Sequence, residues 1–144
     1  MAITQGMCDS FKVQILSGQQ NLVSGSATVY KLALYTSSAT LSNATTAYTT
    51  VGEVTSSGSN YTAGGNTLTI STSPTSTGNV AFMSFANTSW TDANITAAGA
   101  LIYNSTANTA VAALSFGGDK TATNGTFTVI FPTADASNAI IRIA

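Results

Sequence analysis

"TAVAALSFGGDKTATNGTFTVIF", residues 109–131, decides the fold because its centre can be read in two incompatible ways. Gly117 and Gly118, then Asp119 and the pair Lys120-Thr121, have some of the look of a loop that cradles a phosphate. Such a loop needs the order G-x-x-x-x-G-K-[ST] between a strand and a helix, so that backbone N–H groups and the helix N-terminus point at the anion. Here the Asp119 carboxylate stands just before Lys120 and would repel a phosphate, and "TFTVIF" downstream is strand-like rather than helical. The hairpin reading accommodates every residue. "AVAALSF" is a strand, Gly117-Gly118 and Asn124-Gly125 supply positive φ angles, and Gly125 leads into the next strand. Lys120 then lies exposed at the tip, where it can contact a neighbouring subunit.

Strand periodicity extends outward from this stretch. "FKVQIL" (11–16) alternates Phe11, Val13 and Ile15 with Lys12 and Gln14, and "TVYKLALYT" (28–36) sets Tyr30, Leu32 and Leu34 against Lys31, Ala33 and Tyr35. Short runs follow every 10 to 15 residues or so: "VGEV" (51–54), "NTLTIST" (66–72), "NVAFMSF" (79–85), "ALIYNS" (100–105) and "NAIIRIA" (138–144). Ser89–Thr96 fits a short strand or a turn of helix equally, and "TTAYTTVGEV" (45–54) and "TDANITAAGA" (91–100) each have room for one helical turn. Gly, Ser, Asn and Thr clusters between the runs supply turns. "TSSATLSNATTAYTT" (36–50) and "SPTSTGN" (73–79, around Pro74) read as long excursions. The pattern predicts an all-β fold: one domain over 1–144, a β-sandwich or Greek-key barrel with long loops and little helix, and residues 1–10 as a contact arm.

Composition narrows the function. A chain of 144 residues can bury roughly 68 to 70% of its unfolded surface, enough for one core. Charged residues make up 6%, against about 25% in an average soluble domain, while Ser and Thr fill nearly a third of the positions. A hydroxyl-rich surface with a net charge of -1 repels its own copies weakly, which favours a place inside an assembly. Four cations against five carboxylates cannot build the positive face that neutralises several phosphates, so no nucleic acid is expected. The N-terminus lacks the basic region and the apolar run of about 7 to 15 residues of a signal peptide. No segment approaches the roughly 18 apolar residues of a membrane span, so synthesis in the cytoplasm with no membrane partner is expected.

No catalytic, cofactor or metal residues are assigned. Asp9, Glu53, Asp92, Asp119 and Asp135 are isolated from one another, without the spacing that puts a carboxylate pair on one face. The chain has no His and a single cysteine, Cys8, which removes zinc and leaves that thiol without an imidazole partner. Cys8 reads as a small packing residue. Asp92 and Asn94 are the best calcium candidates, weakly signalled. Asn43, Asn87 and Asn104 open Asn-x-Ser/Thr triplets of the kind chance supplies in such a composition. Trp90, with nearby tyrosines, is either a sugar-stacking platform or a core or subunit-contact residue, the latter being the commoner place for a lone Trp in a small β-domain.

"MAITQGMCDSFKVQIL", "YKLALYTSSATL" (30–41), "YTAGGNTLT" (61–69) and residues 99–144, where "ALIYN", "FGGDKT", "GTFTV" and "IIRIA" stand in this order, resemble small virion structural proteins of tailed bacteriophages. Among these the chain most resembles the capsid cement (decoration) proteins. That resemblance implies a β-rich homo-oligomer, commonly a trimer, bound to the major capsid protein on the outer surface of the expanded head. It also implies a role without enzymatic activity, in which adjacent capsid subunits are clamped against internal DNA pressure. Residues 1–10 and 36–50 are the expected contact segments. The alternatives are another virion part (tail tube, fibre or head-to-tail component) and a carbohydrate-binding module built on Trp90.

Overall fold

A computed structural model describes residues 2–144. The elements are β1 (Gly6–Met7), α1 (Asp9–Leu16), β2 (Tyr30–Tyr35), β3 (Asn66–Thr67), β4 (Ile70–Thr77), β5 (Val80–Phe85), β6 (Thr88–Asn104), β7 (Thr109–Val129) and β8 (Ile141–Ile143). They form a five-stranded sheet, β1-β7-β6-β2-β3, and a three-stranded sheet, β4-β5-β8, with every named strand paired antiparallel. The two sheets share one core. Tyr30 of the larger sheet meets Phe85 of the smaller at 6.0 Å between ring centroids, and Phe85 meets Phe131 at 5.8 Å. The all-β domain expected from the periodicity is therefore present, in a sandwich-like form.

The stretch 117–131 corrects the hairpin reading. β7, a single 21-residue strand along β6, continues through it as far as Val129, and the real turn lies upstream at Ser105–Asn108, between the paired Asn104 and Thr109. Positive φ angles at Gly117, Gly118 and Asn124 serve bulges instead of a chain reversal. The largest bulge sets Phe116–Asp119 opposite Ala98 alone, since Gly99 pairs with Ser115 and Ala97 with Lys120. Asp92 on β6, at φ 48°, marks a further register shift between the Trp90–Phe127 and Ala93–Gly125 pairs. The stretch 89–100 lies wholly within β6 and holds no helical turn.

"FKVQIL" is also corrected: it is the body of helix α1. Strand alternation would bury Phe11, Val13 and Ile15 together. Only Phe11 is fully buried, Ile15 one turn later is half-buried, and Val13 is 64% exposed. Asp9 in the first turn favours the positive end of the helix, and Gly18, at φ 73° just past its end, lets the chain leave.

"SPTSTGN" is not an excursion, because β4 runs to Thr77 and turns through Gly78-Asn79 into β5. Pro74 fits there because it falls in a register break of an edge strand, where no ladder donor is needed. "VGEV" makes a single bridge, Tyr35 to Glu53, instead of a strand. The 36–50 stretch lies outside the strands as expected, apart from a bridge from Leu41 to Ile3. Gly65, immediately before β3 at φ 79°, passes so close to β2 that a Cβ would collide with the Leu32 carbonyl.

Residues 2–10 are seated on the domain. The Thr4 N–H donates to the Leu41 carbonyl, Gly6 and Met7 pair with Ala113 and Ala112, and the Cys8 side chain is fully buried. Removing residues 1–10 would therefore strip an edge of the main sheet as well as any external contact.

Candidate interaction surface

Five of the nine charged side chains have a hydrogen-bond or ion-pair partner among the described residues. The Glu53 carboxylate accepts from the Tyr48 hydroxyl at 2.6 Å, and from the Tyr61 hydroxyl and the Gly64 N–H at 2.7 Å each. The Tyr103 hydroxyl donates to the Gly64 carbonyl at 2.7 Å, and its ring stacks on Tyr48 at 4.8 Å. The Tyr35 hydroxyl reaches the Thr49 carbonyl at 2.6 Å. Four tyrosines and one carboxylate thus pin the 36–65 excursion to β2 and β6. Burial, then the Glu53 charge, raises the Tyr103 hydroxyl to about 12. Tyr35, Tyr48 and Tyr61 are pushed higher still, with burial the largest cause in each.

The remaining carboxylates do not converge. Asp9 forms an ion pair with Lys12 at 3.3 Å and accepts from the Asn43 amide at 2.8 Å. Asp135 accepts from the Ser137 and Asn138 N–H groups and the Asn138 side chain, bonds that hold its carboxyl below the ordinary value. Asp92 and Asp119 are exposed. Of the two calcium candidates, Asn94 spends its amide on Asn124: its oxygen accepts from the Asn124 N–H at 3.0 Å and its nitrogen donates to the Asn124 side chain at 3.4 Å. Among the described residues no three His, Cys, Asp or Glu side chains gather to hold a metal ion.

Cys8 is buried, and that burial, reinforced by Asp9, lifts its thiol to about 11, so it remains protonated and packs as read from the sequence. The three triplet asparagines also have internal partners. Asn43 binds Asp9, Asn87 accepts from the Phe131 N–H at 2.8 Å, and the buried Asn104 donates to Gln20 at 3.0 Å.

Trp90 is 5% exposed, packed between Tyr61 at 5.7 Å and Phe127 at 6.2 Å. A sugar needs an open aromatic face to stack on, and this indole face is covered by its neighbours. The indole N–H finds no acceptor among the described residues.

Part of the apolar surface left open gathers around α1 and β8, while Val51 and Ile130 stand exposed singly elsewhere. Leu16 is 90% exposed, Val13 64%, and Ile143 of β8 49%. Two shallow grooves, of about 260 and 280 Å³, share Ile15 and Ile143 as walls; one continues past Val23 and Phe82, the other past Leu16 and Met7. Lys12 and Arg142 edge the second groove, so two of the four cations rim an apolar floor. A helix whose outward side carries Val13 and Leu16 is what one expects where a further protein layer covers it. A strand over residues 11–16 would hide this face.

Lys120, placed by sequence reasoning at an exposed tip, is exposed beside the β7 bulge, where it pairs with Ala97. A separate groove of about 440 Å³ lies beside it, walled by Phe116, Ala122, Phe127, Val129 and Ile130. No helix among the described residues is long and apolar enough to cross a membrane. The chain matches no protein-family model, no curated protein and no solved structure.

Proposed function

We propose that the chain is a structural virion protein of the capsid cement (decoration) type, which binds the major capsid protein on the outside of the head and stabilises the lattice by buried area. The observation that carries this reading is the uncovered α1/β8 face, where Leu16, Val13 and Ile143 are held in the open on a rigid sandwich. Burying an exposed leucine side chain is worth about 1.5–3 kcal/mol, and several set side by side supply binding free energy without any reactive group. The hydroxyl-rich surface and low charge let copies sit close together, in keeping with a homo-oligomer, a trimer by resemblance. A tail tube, fibre or head-to-tail component would use the same face at a different place and copy number.

The test adds purified protein to expanded heads that lack it and counts bound copies by sedimentation. Saturation at a fixed ratio near one copy per capsid subunit is the expected result. Folded protein that fails to bind heads would move the assignment to the tail.

A further inference from the structure

The nine charged side chains can be followed one by one. Asp9 and Lys12 pair with each other, Glu53 accepts from three donors, Asp135 is held in its own turn, and Arg142 donates to the Ala136 carbonyl at 3.3 Å. Lys31, Asp92, Asp119 and Lys120 make no side-chain hydrogen bond or ion pair among the described residues. Two of these four are neighbours of opposite sign, Asp119 and Lys120, both exposed at the end of the large β7 bulge. Beside them is the Phe116–Phe127 groove, with Ile130 standing 74% exposed on its wall.

Beyond Ser115 the outer edge of β7 has no neighbouring strand, because β1 pairs only with Ala112 and Ala113. The four-residue bulge interrupts the row of backbone groups that strand addition would need. A partner at this end therefore contacts side chains.

We propose that this end of β7 is a self-association surface whose occupant is a second copy of the chain. Adjacent residues of opposite charge complement their own symmetry copy, since Asp119 of one copy meeting Lys120 of the next makes the reciprocal contact available as well. Ile130 of each copy supplies the apolar knob and the Phe116–Phe127 groove the hole. The charges set register and the apolar contact supplies area. This inference rests on the assembly reading above, and names where copies meet each other rather than where they meet the capsid.

The experiment is sedimentation velocity over a concentration series for the full chain and for Asp119→Lys, Lys120→Asp and the double exchange. Each single reversal sets like charges against each other and is expected to weaken self-association by about tenfold or more. The double exchange restores the alternation and with it the assembly. Melting curves of the four proteins, taken at dilutions where all are monomeric, should coincide, because both side chains are exposed. A wild-type chain that stays monomeric, single variants that associate like wild type, or a double variant that stays dissociated would each overturn the inference. Head binding measured in parallel separates the two ideas: charge-dependent self-association without head binding removes the capsid assignment and leaves this surface standing.

Discussion

One ribbon, β6 with β7, passes through two environments. In its proximal half, Gly99–Asn104 against Thr109–Leu114, nearly every residue is buried, whichever way its side chain points. β2 flanks β6, β1 and α1 lie against β7, and the Cys8 N–H donates to the Val111 carbonyl at 2.9 Å. In the distal half, Trp90, Ala93, Ile95, Phe127 and Val129 are buried while Ser89, Thr91, Asn94, Thr96, Thr126 and Thr128 face outward. The sequences differ accordingly: "GALIY" and "AVAAL" are unbroken apolar runs, whereas "SWTDANITA" and "TFTV" alternate. Unbroken runs mark strands covered on both faces, and alternation marks a sheet covered on one. Three of the four register shifts between β6 and β7 fall between Trp90 and Gly99, where one face is open; the fourth lies in the covered half, where the extra residue, Val111, is itself fully buried.

The largest expected effect lies in the proximal half. Leu101→Ala leaves a cavity with cover on all sides and should cost about 2–5 kcal/mol, whereas Thr96→Ala on the bare distal face should stay within about 0.5 kcal/mol. Urea unfolding of both variants checks this, and similar losses at the two sites would break the comparison.

A smaller loss is expected at the tie that anchors the 36–65 excursion. Glu53→Gln weakens two charge-assisted bonds from Tyr48 and Tyr61 and should cost about 1–3 kcal/mol. The sign of its pH dependence follows from the tyrosines. Their hydroxyls titrate above the ordinary value of 10.0 when folded, so the unfolded chain loses these protons first. The stability they contribute is complete below pH 10 and drains away as pH rises through their folded values. Because Glu53 contributes to raising Tyr35, Tyr48, Tyr61 and Tyr103, Glu53→Gln should flatten this alkaline loss, though only partly, since burial is the larger cause. Thermal unfolding of both proteins from pH 8 to 11.5 is the check, and an unchanged slope would sink the assigned role of the carboxylate.

β2 and β5 were legible because alternation or an apolar run, bounded by turn residues, agrees with what the fold buries there. β7 was not legible as one strand, since Gly117-Gly118 and Asn124-Gly125 carry the same positive φ angles whether they turn a chain or bulge it; only the pairing with β6 decides. Helix α1 was hidden because Phe11, Val13 and Ile15 satisfy a two-residue period while Phe11 and Ile15 also satisfy the helical spacing. The exposed position of Lys120 could be read from its turn-forming neighbours. The Glu53 cluster could not, because Tyr35, Tyr48, Tyr61 and Tyr103 are scattered in sequence and meet only through the fold. The apolar face depends on the helix and was lost with it.

The most direct measurement sets the two open surfaces against each other on the capsid: binding of Leu16→Asp and of Ser89→Asp to expanded heads lacking the protein, by co-sedimentation. Both side chains are exposed, so both variants should fold and melt like wild type. The account predicts that Leu16→Asp weakens binding by about tenfold or more, through a charge placed in an apolar contact, while Ser89→Asp, outside both proposed contact surfaces, binds like wild type. Full binding by Leu16→Asp together with loss in Ser89→Asp would contradict it and place the contact on the hydroxyl face of the distal ribbon.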